Sequence, residues 1–272
     1  MKEKKVTSQT KISKKALLEG AVDAAYAAGK IIRKHFKSNR LRIKEKSGNQ
    51  GLVTNADMEA EKAAIHILKK CEPRFGLLTE ETNSEGRQKE GQRGMWILDP
   101  LDGTTNFIHR FPMFCVTIAA VIENEIEVGV TYHPILDELY TAIRKKGAFV
   151  NGTRMQVSET KNMSNALFTT GFAYSARNLL STEMSTFEKV SMVARAVRRP
   201  GSAALDLAYT ARGVFDGFWE RHLSPWDMAA GALLVRESGG KVTDFSGEPF
   251  QVYDKEILAS NSPLHLPLIK LI

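Results

Sequence analysis

Met95-Trp96-Ile97-Leu98 is a wholly apolar run that ends directly on Asp99-Pro100. Such a run before an Asp-Pro break reads as a buried strand that delivers Asp99 at its carboxyl end. Around it the apolar spacing switches between a helical and a strand period. Leu17, Ala21, Ala24, Ala28, Ile31 and Ile32 predict a helix over Lys14 to about Phe36. A second helix is predicted from about Ala56 to Cys71, with Asn55 placed as its cap. Strands follow over 114–122, 127–133 and 138–144, with the polar residues 123–125 turning between the first two. Asn151-Gly152 marks a tight hairpin between 148–150 and 154–157. Further helices are expected near 181–195, after Gly201, and from Pro225 to a stop at Gly239-Gly240, with a strand over 214–219. Helices and strands mixed around an antiparallel meander imply layered α and β structure, not a simple doubly wound sheet.

Composition narrows the field. With 43% hydrophobic and 25% charged residues, the chain is ordinary for a globular protein with a substantial core. Its longest apolar stretch, 114–122, is too short to span a bilayer. The opening MKEKKVTSQTKISKK has no apolar segment of the kind a secretory signal needs. Cys71 and Cys115 form no pair motif, which fits a reducing cytoplasm. The net charge is +7, but six lysines against one glutamate in residues 1–15 carry +5 of it. The basicity is therefore a tail, expected to be a solvated end, with RNA or an acidic partner as the alternative. The remaining residues, 16–272, read as one domain of two intimate halves, about 16–155 and 156–272.

The chemistry concentrates in Asp99-Pro100-Leu101-Asp102-Gly103-Thr104-Thr105. Two carboxylates three residues apart at a strand end suit a hard cation such as Mg²⁺. Pro100 stiffens the loop, and the bend can turn the Leu101 carbonyl towards the same ion. Gly103 and the threonines that follow offer backbone N–H groups and a hydroxyl to an anion. Glu80-Glu81 follows the apolar Leu77-Leu78, and a shared cation would relieve the repulsion between the two acids. Asp227 sits in the first turn of an otherwise apolar helix, a place that the helix dipole alone would also favour. No GxSxG elbow or phosphate-binding glycine loop is present, and neither cysteine has a neighbouring histidine.

Asp99-Pro-Leu-Asp-Gly-Thr, the upstream Glu80-Glu81 and Trp226-Asp-Met-Ala-Ala-Gly together resemble the signature segments of the inositol monophosphatase family. The likeness runs over nearly the whole chain. Arg198-Arg-Pro-Gly-Ser-Ala-Ala-Leu-Asp most resembles its bacterial, SuhB-like branch. The resemblance implies a five-layer αβαβα sandwich, usually a homodimer, that hydrolyses a small phosphorylated polyol with two to three Mg²⁺ ions and is sensitive to lithium. It implies that Glu80, Asp99 and the Leu101 carbonyl hold one ion, that Asp99, Asp102 and Asp227 hold another, and that Glu80 helps with a third and orients the attacking water. Glu81 completes the acid set. Gly103 and Thr104 would receive the phosphate, while Asp102, Ala203 and Glu220 would contact the alcohol. The substrate most resembling the family's is myo-inositol 1-phosphate, with histidinol phosphate, fructose bisphosphate, NADP and 3′-phosphoadenosine nucleotides as alternatives. A regulatory, RNA-associated protein on the same fold is the reading from a different class.

One departure stands out. Gly51 occupies a place where the family carries an aspartate, expected to pair with Thr104 and help activate water. Glycine accepts no proton, so Glu80 and the metals, or Gln50 or Asp57, would have to cover that role, or turnover would be weak.

Overall fold

The computed structural model describes residues 12–38, 41–46, 51–82, 92–172 and 180–272. The chain opens with α1 (Lys14–Phe36), a short antiparallel hairpin of β1 (Ile43–Glu45) and β2 (Leu52–Thr54), and α2 (Asn55–Cys71). Then come β3 (Phe75–Thr79), β4 (Gly94–Asp102) and α3 (Thr104–Ile108). A meander follows: β5 (Cys115–Ile122), β6 (Glu125–His133), β7 (Glu138–Ile143), β8 (Gly147–Val150) and β9 (Thr153–Arg154). The second part holds β10 (Leu167–Thr170), α4 (Leu180–Val193), β11 (Ala196–Arg198), α5 (Ala203–Ala211) and β12 (Gly217–Arg221). It closes with α6 (Pro225–Glu237), β13 (Lys241–Thr243), β14 (Glu256–Ser260) and α7 (Ser262–Ile269).

Strands β3 to β9 form a seven-stranded sheet in chain order, with β3 and β4 parallel and the rest antiparallel. The second sheet is five-stranded, in the order β11-β10-β12-β14-β13. Alternation along the strands shows how the layers stack. On β4, Trp96 and Leu98 pack with Leu17, Ala21, Ala24 and Ala60 of α1 and α2. Met95 and Ile97 face the other way, into a cluster with Leu207 of α5 and Met228 and Leu234 of α6. That cluster also takes Phe218, Ile257 and Ala259 from the second sheet, whose Trp219 and Leu258 point outward to Val190 of α4 and Leu264 and Leu268 of α7. The order is α1/α2, sheet, α5/α6, sheet, α4/α7. This is the expected αβαβα sandwich, and both sheets are covered on both faces, which explains why β4 reads as a continuous apolar run.

Most predicted elements are found, and the differences have local causes. The cap of α2 is Thr54, not Asn55. The Thr54 hydroxyl accepts from Ala56 N at 3.1 Å and Asp57 accepts from Thr54 N at 2.9 Å, a capping box. Asn55 instead accepts from Arg42 N across the hairpin. Strand β4 continues through Pro100 to Asp102 because a register shift against β5 between Asp99 and Asp102 accommodates the proline. β9 ends at Arg154 and not Val157, whose N–H turns away to the Ser238 carbonyl at 3.1 Å. β12 begins only at Gly217, since the Val214 and Phe215 N–H groups fold back onto Tyr209.

The seat of α6 on the first sheet is set by Gly129 of β6. A Cβ built there would lie 2.8 Å from the Ala230 carbonyl oxygen and 3.1 Å from its Cα. Backbone meets backbone at this point, so α6 would have to move to admit a side chain. Gly129→Ala is expected to destabilise the chain by about 1–3 kcal/mol through overpacking, read as a lower denaturant midpoint in EDTA. An unchanged midpoint would show that α6 is not held by this contact.

Candidate metal centre

Three elements bring acids to one cleft. β4 delivers Asp99 and Asp102 from either side of the bulge made at Pro100, and the first turn of α6 delivers Asp227. Each of the three offers a ligand oxygen, and these oxygens all lie within 4.8 Å of one another. Asp99 is 2% exposed. One oxygen of each acid is tied down. Asp99 Oδ1 accepts from Leu101 N at 2.8 Å, and Asp227 Oδ2 accepts from Ser224 N at 2.7 Å within a second capping box. Asp102 Oδ2 accepts from Ser202 Oγ at 2.5 Å and from Ala204 N at 2.9 Å. The dipole-favoured role expected for Asp227 and its place in the acid cluster are therefore both found.

Glu80 follows β3 and lines the same cleft. Its Oε1 accepts from Lys46 Nζ at 2.7 Å, while its buried Oε2 has no hydrogen-bond partner. Glu81 is turned the other way. Its Oε1 also accepts from Lys46, at 2.8 Å, its backbone N–H is held by buried Glu61, and it is not among the residues lining the cleft. The structure thus brings together Glu80, Asp99, Leu101, Asp102 and Asp227, and leaves Glu81 behind Lys46.

Electrostatics work against leaving these acids bare. Burial, followed by the charge of Glu80, pushes Asp99 well above the usual carboxylate range. Burial and then Asp102 do the same to Asp227. Asp102 is pushed up to about 6, chiefly by burial, against the pull of its Ser202 bond. Glu81 rises to about 8 through burial and the neighbouring Glu80 charge. Burial opposes the charge on Lys46, yet Glu80 and then Glu81 carry its ammonium above the ordinary lysine range. An all-oxygen set with a buried, unpartnered carboxylate oxygen is what a hard divalent cation fits.

Beside this cluster lies the turn made by Gly103, whose φ of 92° opens α3. A Cβ there would lie 2.7 Å from the Met113 carbonyl, so only glycine fits. Thr104 Oγ1 lies 3.0 Å from the Leu101 carbonyl and 3.2 Å from Asp57 Oδ1. Of the described groups expected to cover the place left open at Gly51, Asp57 is the one within reach of Thr104. Thr104's carboxylate partner is Asp57, which also caps α2 through its other oxygen. Gly51 lines the cleft at φ 100°, with nothing within 4 Å of where a Cβ would stand. Gln50 lies outside the described residues. Burial pushes Asp57 up to about 6, against the hydrogen bonds from Thr54.

The cleft has a volume of about 540 Å³. Ala203 and Glu220 line its far side with Gly171, Arg199, His222 and Trp226. Gly171 makes room for Glu220, since a Cβ there would fall 2.1 Å from the carboxylate. Lys46 and Ser202 were not identified from sequence. Ser202 carried a readable signal as a cap before the Ala203–Ala211 helix, whereas Lys46 is one lysine in a charged stretch. Arg110 donates to the His35, Phe36 and Ser38 carbonyls at the end of α1. Among the described residues no helix is long and apolar enough to cross a membrane.

The fold and the converging acids define a class: layered α/β proteins that gather carboxylates on one cleft between two sheets. The sequence profile of the inositol monophosphatase family matches residues 13–271, and the chain belongs to that family. It is 42% identical over 246 residues to the Nus factor SuhB of Escherichia coli (strain K12), covering 90% of this chain and 91% of that one. It is 40% identical over 252 residues to the inositol-1-monophosphatase of a Synechocystis strain, covering 92% and 86%. Among solved structures, the Bartonella henselae extragenic suppressor protein suhB superposes with a TM-score of 0.87 at 39% identity, over 94% of this chain and 98% of that one. The Thermotoga maritima IMPase superposes at 0.83 and 32% identity, over 93% and 95%.

Glu220 gives this site a pH signature. Burial, followed by the charge of Asp102, raises its carboxyl to about 8, above the 4.5 of an unfolded chain. Between these values the folded state holds a proton that the unfolded state has released, so stability falls as pH rises towards 8. Buried His133 and His265 are lowered and act oppositely below pH 6.5, which confines the effect to about pH 6.5–8. In EDTA the unfolding free energy is expected to fall across that window, Glu220 contributing up to about 1.4 kcal/mol per pH unit and the raised Asp99, Asp227 and Glu81 adding in the same sense. The slope should be shallower in Glu220→Gln, and an equal slope in the variant would count against it.

Proposed function

We propose that the protein is a magnesium-dependent phosphatase acting on a small phosphorylated polyol, with myo-inositol 1-phosphate as the first substrate to test. The observation that carries this reading is the convergence of Asp99, Asp102 and Asp227 beside the Gly103-Thr104 turn. Asp99, Asp102 and Asp227, with Glu80 and the Leu101 carbonyl, would hold two to three Mg²⁺ ions. When bound, the cations supply charge neutralisation at the phosphoryl oxygens and the leaving alkoxide, and acidify water.

The chain's own residues do the rest. Backbone N–H groups at Gly103 and Thr104 receive the phosphate. Thr104 Oγ1, within reach of Asp57 Oδ1, accepts a proton from the attacking water while passing its own to Asp57. A carboxyl held near pH 6 by burial suits that task, being deprotonated at neutral pH yet basic enough to take the proton. Lys46 keeps Glu80 and Glu81 apart from one another's charge by bonding to both. Glu220, Ala203 and Asp102 meet the alcohol.

A second role is favoured by the relatives named Nus factor SuhB. On that reading the chain also engages RNA or a transcription-related partner through its basic start. Salt-sensitive RNA binding that disappears on deletion of residues 1–15 would support it, and binding unaffected by the deletion would count against it.

For the phosphatase reading, phosphate release from myo-inositol 1-phosphate is expected to require Mg²⁺, to stop in EDTA and to vanish in Asp99→Asn. Asp57→Asn should retain metal binding but lose about 100-fold or more in kcat. Full turnover in Asp57→Asn would remove the Thr104–Asp57 proton path. Release that persists in EDTA would remove the metal reading.

A further inference from the structure

We propose that Ser202 is a positioning residue for Asp102, fixing which of its two oxygens faces the cation. The inference rests on the reading of Asp102 as a metal ligand. It starts from the hydrogen-bond capacity of the two groups. A serine hydroxyl has one proton to give, and Ser202 Oγ gives it to Asp102 Oδ2 at 2.5 Å. A lone pair of the same oxygen accepts from Leu205 N at 3.4 Å, as the cap of α5. Ser202 is 1% exposed, so both bonds are shielded from bulk solvent. The rotation of the hydroxyl is thereby used up at both ends.

Asp102 Oδ2 is equally committed. Besides Ser202 it accepts from Ala204 N at 2.9 Å, and the Cys115 thiol lies 3.9 Å away. The oxygen bonded by the start of α5 is the one least available to a cation, which leaves Oδ1 to face Asp99 and Asp227. Asp102 sits at the very end of β4, on the first sheet, past a register shift. α5 is packed between the two sheets, with Leu207 and Ala208 in the central core. The Ser202–Asp102 bond therefore fastens a loop-end ligand to an element of the core. Without the hydroxyl proton, Asp102 keeps only the Ala204 N–H as a close donor and is free to turn about it.

The test is magnesium binding by the full chain, followed by titration calorimetry without any phosphate ester, so that the readout does not depend on turnover. Ser202→Ala is expected to weaken magnesium binding about 10–100-fold, the usual cost of losing a group that orients a ligand. Ser202→Gly separates the two uses of the residue, since glycine serves as a helix cap nearly as well as serine but has no hydroxyl. Weakening in Ser202→Gly comparable to that in Ser202→Ala, with native affinity kept in Ser202→Thr, supports the inference. Magnesium binding within twofold of native in Ser202→Gly overturns it, because the residue would then be a cap and nothing more. That result leaves the metal reading of the site intact. If the native chain binds no magnesium, the metal reading falls and this inference falls with it.

Discussion

Buried like charges are the constraint that the rest of the site obeys. Asp99, Asp102 and Asp227 lie with ligand oxygens within 4.8 Å of one another, beside Glu80, in a cleft between layers. Repulsion at such distances in a poorly solvated place is strong enough to hold carboxyls neutral or to demand a cation. The fold must therefore bind each acid tightly enough that it does not swing away. The mechanism is the same in each case. One oxygen is given to a backbone N–H, from Leu101 for Asp99, Ala204 for Asp102, Ser224 for Asp227 and Thr54 for Asp57. The other oxygen is left for the cleft or, for Asp57, for Thr104.

That division of labour explains the local sequence. Two of the four acids occupy the third position of a capping box, Asp57 on α2 and Asp227 on α6. A capping aspartate is held by the helix start at no extra cost in side-chain freedom beyond the cap itself. Pro100 and the register shift on β4 turn Asp99 and Asp102 so that both reach one cleft, where a regular strand would send Asp99 and Asp102 to opposite faces. The close contact of Gly129 with Ala230 then fixes how near α6, and hence Asp227, stands to that strand.

Much of this was legible in the sequence because it rests on local rules. The apolar run before Asp99, the Pro225 start of α6 and the positive-φ turn at Asn151-Gly152 are each set within a few residues. The sandwich and the acid cluster were approached through family resemblance, since no short-range pattern says that β4 and α6 meet. What stayed hidden is long-range. Lys46 is 34 residues from Glu80, Asp57 is 47 from Thr104, and Ser202 is 100 from Asp102. At Gly51 the sequence shows a missing acid and leaves Asp57 as one of the groups to cover it; that Asp57 Oδ1 stands 3.2 Å from Thr104 Oγ1 is visible only in the fold.

The double use of Asp57 and Asp227 also shows why a purely structural explanation of a residue does not exclude a chemical one. A carboxylate has two oxygens and about four acceptor positions, and a capping box consumes only one oxygen. The second is presented at a helix start, fixed in direction and held by the cap against rotation. A buried capping aspartate whose outer oxygen points to a cleft is thus better placed for metal or proton chemistry than a freely rotating acid. Asp102 reaches the same state without a helix of its own, by borrowing the start of α5. Asp99, Asp102 and Asp227 are thus each fixed by a backbone N–H at a strand bulge or helix start, whereas Glu80, with only the Lys46 ammonium to hold it, is the acid of this cleft with the most freedom to follow a ligand.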